Sequence, residues 1–216
     1  MSEPKHVTTT REAYDLTADA YVAAIGTRIR AGIEAELDRS LLATFAEQFP
    51  KGAAVADIGC GPGRVAVLLA AEQLDVVGID LSPAMLAIAR AAHPDVRFEE
   101  GELTSLPVAD ETLHGAVYWY SIIHTPPENL PLVWGELSRV LVPGGHALVA
   151  FQAGSGEAVH RSAVGTQAVS LTNYRHDPDE VVKDLVDAGF VVEPPVVRPA
   201  ALPHETTPQA FIRIVN

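Results

Sequence analysis

The chain has 216 residues, 48% of them hydrophobic, enough to fill one α/β domain and short for two. With 15 Lys and Arg against 28 Asp and Glu, a formal charge of -13 and no basic cluster, long-range fields oppose a nucleic-acid or anionic-membrane partner and favour a small-molecule substrate. A lone cysteine, Cys60, excludes an intramolecular disulfide and a multi-cysteine metal site.

No apolar stretch reaches the roughly 20 residues of a membrane helix, and the opening Met-Ser-Glu-Pro-Lys-His lacks the apolar core of a signal peptide. The expected compartment is therefore the cytoplasm. After ten residues that look mobile, 11–49 read as helical, because Ile33, Leu37, Leu41, Phe45 and Phe49 recur every four residues among charges. From Val55 onward, short apolar runs alternate with helical patterns: a strand over 55–58, a helix over 64–72 and a strand over 76–80. Ser82 and Pro83 then open a helix as N-cap and first helical residue. Strands follow over 96–99 and 115–120, then a helix near 128–141 with Leu130, Val133, Leu137 and Val140 on one face, the turn Pro143-Gly144-Gly145, and a strand over 146–151. Residues 152–178 read as irregular. A helix from Asp179 to Ala188 ends on Gly189, and strands over 190–197 and 209–215, with no helix between them, fit a hairpin. The βαβα order predicts a doubly wound, mostly parallel sheet with helices on both faces.

Residues 55–63 read Val-Ala-Asp-Ile-Gly-Cys-Gly-Pro-Gly, and a second apolar run, Val77-Gly-Ile, ends on Asp80. A buried strand that turns sharply into a helix needs glycine, both for positive φ and for close approach of a ligand to bare backbone. An acidic residue at the tip of the next parallel strand is placed for ribose hydroxyls. The spacing of Gly59, Gly61 and Gly63 is G-x-G-x-G, whereas the dinucleotide fingerprint is G-x-G-x-x-G. Asp57 beside the loop disfavours a pyrophosphate and suits an ammonium group.

Together, Val55–Gly63 and Val77–Asp80 resemble the first two motifs of the class I S-adenosylmethionine (SAM)-dependent methyltransferases, of the small bacterial type that acts on small molecules. The resemblance extends from about residue 40 onward and implies a Rossmann-like sheet of about seven strands with the last antiparallel. It divides a single domain, 1–216, into an N-terminal helical cap (1–49), a SAM-binding core (50–152), a substrate-side segment (153–178) and a C-terminal helix with a strand hairpin (179–216). The implied cofactor is SAM, released as S-adenosylhomocysteine (SAH). Gly59, Gly61 and Gly63 would pass under the methionine part and ribose, with Cys60 as small filler between them. Asp57 would serve the ammonium group, directly or through water and loop backbone; Asp80 would take both ribose hydroxyls, and Leu81 and Met85 would press on the adenine. Glu102 stands where the family commonly has Asp, one methylene shorter, so the adenine amino group falls to Glu102 or to the Leu103 backbone.

The segment Val117-Tyr-Trp-Tyr-Ser-Ile-Ile-His-Thr-Pro-Pro127 is the least generic in the chain. Its Tyr120, Ser121 and His124 resemble the Tyr-Ser-Leu-Ile-His type segment of small bacterial methyltransferases. Tyr120 is thus expected at the junction of cofactor and acceptor. His124 has two readings, a general base that takes a proton from an acceptor hydroxyl or a structural residue bonded to the following loop. Tyr14 and Tyr21 share a helical face; related enzymes close an N-terminal Tyr of this kind over the SAM carboxylate, while plain packing explains the same spacing. His160, Arg161 and Tyr174 supply polar and aromatic groups for the acceptor from a loop-like segment. The histidines are scattered and accompany no carboxylate cluster with ligand spacing, so no metal is expected. These residues imply methyl transfer to oxygen, or to nitrogen, of a small metabolite by in-line displacement, from a monomer or homodimer. The rival classes are a non-catalytic SAM- or SAH-binding module and a nicotinamide-dependent oxidoreductase.

Overall fold

A computed structural model describes residues 4–164 and 167–216. Two helices lead, α1 (Lys5–Ile25) and α2 (Glu36–Glu47), followed by β1 (Ala54–Ile58), α3 (Arg64–Ala71), β2 (Asp75–Asp80), α4 (Pro83–Ala92), β3 (Arg97–Glu100) and β4 (Leu113–Trp119). Next come α5 (Leu130–Val140), β5 (Leu141–Gln152), β6 (Glu157–Val164), β7 (Gln167–Arg175), α6 (Pro178–Asp187), β8 (Val191–Val192), β9 (Val196–Arg198) and β10 (Gln209–Val215).

The main sheet has the order β3-β2-β1-β4-β5-β10-β8, with β9 also paired to β10. Neighbours from β3 to β5 are parallel, and β10 runs antiparallel to β5. Strands buried on both faces read as continuous apolar runs, and alternate residues here do feed opposite sides. Ala56, Ile58, Tyr118, Val149 and Phe151 pack with Trp134 of α5, whereas Val55, Val117, Leu148 and Phe211 pack with Leu42, Leu69 and Leu86 of the helices opposite. On α5, Leu130, Val133, Trp134, Leu137 and Val140 form the buried stripe that a 3.6-residue period dictates. The sheet therefore sits between two helical layers, and the carboxyl ends of β1, β2 and β4 converge on one edge. Among the described residues no helix is long and apolar enough to cross a membrane.

Several expectations need correction. The helix expected over 11–49 is two helices, because Gly26 ends α1 at φ 76° with its N–H donated to the Val22 carbonyl. The inward stripe of α2 is Asp38, Leu42, Phe45 and Ala46, one position removed from the Leu37 and Leu41 series, and Leu37 is exposed. Helix α1 already begins at Lys5, with Val7 and Thr10 buried, so the opening residues from Lys5 are part of the cap. Residues 152–178 are not irregular: β6 and β7 form an antiparallel hairpin that packs on α1. Finally, the strand expected over 190–197 is broken by Glu193-Pro194-Pro195, since proline cannot donate to a ladder. Its two pieces lie along the same edge of β10, Val191 and Val192 opposite Val215 and Ile214, and Val196–Arg198 opposite Phe211–Gln209. The sheet thus has seven strand positions. The Pro143-Gly144-Gly145 turn is a kink inside β5, where the pairing jumps from Leu113↔Leu141 to Gly115↔His146.

Candidate active site

At the end of β1 the chain turns under the sheet edge, and the Gly59 and Cys60 N–H groups both donate to the Ile79 carbonyl at 2.7 and 3.0 Å. Gly59 has φ 73°, and a Cβ placed there would lie 2.2 Å from Ser121 Cβ, so β4's tip and this loop touch through bare backbone. Gly61, at φ 51°, differs: a Cβ there would meet nothing within 4 Å. Open space therefore lies over Gly61. Its N–H donates to Asp80 Oδ2 at 2.7 Å, and the Ser82 N–H donates to Oδ1 at 2.9 Å. Burial raises the Asp80 pKa, against the pull of these backbone hydrogen bonds. Among the described residues Asp80 forms no ion pair, which leaves a half-buried carboxylate with spare lone pairs.

Two cavities meet at this loop, sharing Tyr14, Tyr21, Gly59, Gly61, Trp119 and Tyr120 as walls. The smaller, about 90 Å³, gathers Asp80, Leu81, Met85, Glu102 and Leu103, together with Thr104, whose hydroxyl donates to Glu102 Oε1. The larger, about 340 Å³, is lined by Asp57, Cys60, Arg64, Arg161, Asn173 and Glu205 among others. Helix α1 is tied over the smaller cavity. Asp15 accepts from the Ser82 hydroxyl at 2.6 Å and the Ala84 N–H at 3.1 Å, and Arg11 Nε donates to the Leu81 carbonyl.

Burial raises the Asp57 pKa to about 7, opposed by the Ala66 N–H that donates to its Oδ2 at 2.8 Å. Asp57 therefore anchors the first turn of α3 while lining the cavity. Cys60 is buried, its Sγ 3.6 Å from the Gly61 carbonyl, and burial and the charges of Asp80 and Asp57 push its thiol pKa well up. It is a protonated small side chain under the loop.

Tyr120 holds a left-handed φ of 59°, a conformation that costs a non-glycine residue on the order of 1 kcal/mol. Its N–H donates to the Ala150 carbonyl at 2.9 Å, and its ring stands edge-on to Trp119. Burial, and next the Asp38 charge, raises its pKa, so the hydroxyl is protonated at neutral pH.

His124 Nδ1 lies 2.9 Å from the Thr172 carbonyl on β7, and its Nε2 lies 2.8 Å from the Tyr14 hydroxyl. A carbonyl only accepts, so Nδ1 carries the proton and Nε2 accepts from Tyr14. Burial, with the Arg161 charge adding to it, lowers the His124 pKa to about 4. The imidazole is thus neutral with both nitrogens engaged. Burial likewise raises the Tyr14 and Tyr21 pKa values, and the two rings meet edge to face at 5.6 Å.

The structure thus brings fifteen of the seventeen expected side chains and glycines to the rim of one site or directly beneath it, with Gly63 at the N-cap of α3. It does not bring His160 or Tyr174. On the β6–β7 hairpin, Arg161 pairs with Leu171 and Val159 with Asn173, while His160 pairs with Thr172 and Ala158 with Tyr174. Strand alternation sends the first set toward the cavity and the second to the other face; Tyr174 stacks on His176 instead. The His124 base expected near neutral pH is also disfavoured, because the lone pair it needs already accepts from Tyr14.

Several site residues carry no sequence signal. Asp38 and Glu205 both grip Arg198, with Asp38 Oδ1 2.6 Å from Nε and Glu205 Oε1 2.6 Å from Nη2, joining parts of the chain 160 residues apart. Arg64 pairs with Glu34 while its Nε is buried without a partner, as is Asn173 Oδ1. Arg64 alone had a clue in the sequence, its place directly after Gly63. Among the described residues no group of three His, Cys, Asp or Glu is placed to hold a metal.

A family model described as "Methyltransferase domain" matches residues 55–145. The 2-phytyl-1,4-naphtoquinone methyltransferase of Thermosynechococcus vestitus is 34% identical over 108 residues, 47% of this chain and 47% of that protein. The chain spans under half the length of the first curated relatives it matches. Among solved structures, the magnesium protoporphyrin IX methyltransferase of Synechocystis with bound SAM superposes with TM-score 0.73 at 18% identity, covering 100% of this chain and 99% of that one. A [4+2]-cyclase superposes with TM-score 0.73 at 18% identity, covering 100% and 98%, so likeness at this level describes the fold alone. Over residues 55–145 the sequence thus resembles a methyltransferase domain, and the fold is the one seen in a SAM-bound methyltransferase structure.

Proposed function

We propose that the protein is a SAM-dependent methyltransferase acting on an oxygen of a small molecule, with nitrogen as the next acceptor. The observation that supports it most is Asp80, a half-buried carboxylate held by two backbone N–H groups, without an ion pair among the described residues, facing the open space over Gly61. Such a group suits two vicinal ribose hydroxyls, and Leu81, Met85, Leu103 and the Glu102–Thr104 pair offer an apolar slot with a polar edge for adenine. The methionine part would run over Gly59 and Gly61, with Asp57 near its ammonium group. The Tyr14 hydroxyl already donates its hydrogen bond to His124, so it is a poor donor for the cofactor carboxylate. Arg64, with a buried and unpartnered Nε, is the better complement.

Bound SAM supplies a methyl group that its sulfonium already makes electrophilic. The remaining task for the chain is to align the acceptor and exclude water, and the aromatic wall of Trp119, Tyr120, Tyr14 and Tyr21 serves that. His124 is a positioning residue here: it fixes Tyr14 over the site and joins α1 to β7. We read the described residues as one domain whose partner is a small molecule, as a monomer or homodimer in the cytoplasm. Incubation with methyl-labelled SAM and a panel of hydroxyl, carboxyl and amine acceptors tests the reading. SAH release with label on oxygen is expected; label found only on nitrogen would overturn the oxygen assignment, and no turnover with any acceptor would favour a SAM-binding module.

A further inference from the structure

The larger cavity is lined by two polar residues from the inward face of the β6–β7 hairpin. Asn173 is 6% exposed, yet its side-chain oxygen has no partner. Leaving a buried amide unpaired is costly, and because the amide ends are interchangeable by a flip it can offer either a donor or an acceptor. Arg161, exposed and diagonally across the hairpin from Asn173, lines the same cavity. Its charge acts on both Tyr14 and His124, which wall the smaller cavity. Among the described residues Arg161 has no carboxylate partner. The cavity's own acids are committed elsewhere: Glu34 to Arg64, Asp38 and Glu205 to Arg198, and Asp57 to the Ala66 N–H.

Apart from Asp57, which the reading above gives to the cofactor ammonium group, the site is also poor in bases. Both His124 nitrogens are occupied, the three tyrosine hydroxyls and the Cys60 thiol are held protonated by burial, and His204, which also lines the cavity, is a solvent-exposed loop residue. An alcohol acceptor must lose a proton to something in the site. A carboxylic acid arrives already ionised at neutral pH, and an ammonium group would be repelled by Arg161.

We propose that the acceptor is a small carboxylic acid, drawn into the larger cavity by Arg161 and Asn173 and methylated on a carboxylate oxygen. This rests on the methyltransferase reading above. In the transfer, a lone pair of that oxygen forms the new O–C bond while the methyl carbon–sulfur bond breaks and its electron pair stays on sulfur. The carboxylate and sulfonium charges cancel, the products are a neutral methyl ester and SAH, and no proton moves.

The test uses the full chain loaded with SAH, titrated in a calorimeter with benzoate, cinnamate and succinate, each against its amide. At least one acid is expected to bind ten times more tightly than its amide. Arg161→Gln should erase that preference while leaving SAH affinity unchanged, and His160→Gln, on the hairpin's other face, should leave both unchanged. With labelled SAM, the methyl group on the preferred acid should be released as methanol by mild alkali, as an ester requires. Normal SAH binding with no acid preferred over its amide, a base-stable label, or loss of acid binding in His160→Gln overturns the proposal and leaves the methyltransferase reading standing. Loss of SAH affinity in Arg161→Gln also overturns it, since Arg161 would then hold the cofactor. Failure of the unaltered chain to bind SAH removes both.

Discussion

The two cavities that meet at Gly59 and Tyr120 are built from different materials. The smaller is made of backbone and short-range geometry: N–H groups of Gly61 and Ser82 set the Asp80 carboxylate, and its residues sit at the ends of successive parallel strands. The larger is made of long side chains from separate parts of the chain, with Arg64, Arg161, Asn173 and the Arg198 cluster contributed by α3, the hairpin and β9. Backbone donors on a rigid sheet edge can serve only one shape of ligand. A wall of side chains on a hairpin and a loop is free to vary without disturbing the sheet. The first cavity therefore suits the adenosyl part of an invariant cofactor, and the second, past the Asp57 and Arg64 that its methionine part would use, an acceptor that sets specificity.

That contrast can be broken by energetics. Arg198 is buried between Asp38 and Glu205, so Arg198→Leu strands two carboxylates and should cost about 3–5 kcal/mol, read by urea unfolding, with Asp80-dependent binding intact in whatever fraction stays folded. The same cluster gives a pH signature. Burial of Glu205 acts to raise its pKa, but the Arg198 contact and the Ala201 and Leu202 N–H groups outweigh it and bring the pKa down to about 2. A depressed carboxyl pKa means that this stabilisation is complete above the unfolded value near 4.5 and is lost as pH falls from there toward 2. Arg198→Leu should remove that part of the acid lability.

The glycine loop sharpens the comparison within a single cavity. Gly59→Ala drives a Cβ into Ser121 at a left-handed φ and should cost about 3 kcal/mol. Gly61→Ala meets only open space, so its stability cost should be about 1 kcal/mol, the backbone strain alone. Its methyl group nonetheless occupies ligand room, and SAH affinity should fall while the fold survives. Equal destabilisation by the two substitutions would mean that the space over Gly61 is not free.

The smallest effect belongs to the hinge between the two regions. His124→Gln should loosen Tyr14 and weaken SAH binding about tenfold, roughly the worth of one hydrogen bond, without introducing a new limb in the pH dependence of kcat. A kcat loss of several hundredfold with SAH affinity preserved would restore His124 as a base.

These differences also explain what the sequence made legible. Asp57, the three glycines and Asp80 were readable because strand, turn and helix constrain residues within a short stretch, and the sheet order followed from alternating apolar runs. The hairpin was not readable, since its inward positions carry Asn173 and Arg161, polar residues that blur the period-2 pattern of a half-buried strand. The Asp38–Arg198–Glu205 cluster was invisible for another reason, because contact across 160 residues leaves no local trace. The role of His124 needed the fold as well: only the Thr172 carbonyl and the Tyr14 hydroxyl fix its tautomer.

The central claim is that Asp80 and the bare loop beside it form an adenosyl cradle, and calorimetric titration of SAH into the unaltered chain and into Asp80→Ala tests it most directly. Loss of two hydrogen bonds to a charged group, at about 1.5 kcal/mol or more each, predicts saturable one-to-one binding that weakens on the order of 100-fold in the variant. Silence from the unaltered chain, or equal affinity in Asp80→Ala, would contradict it.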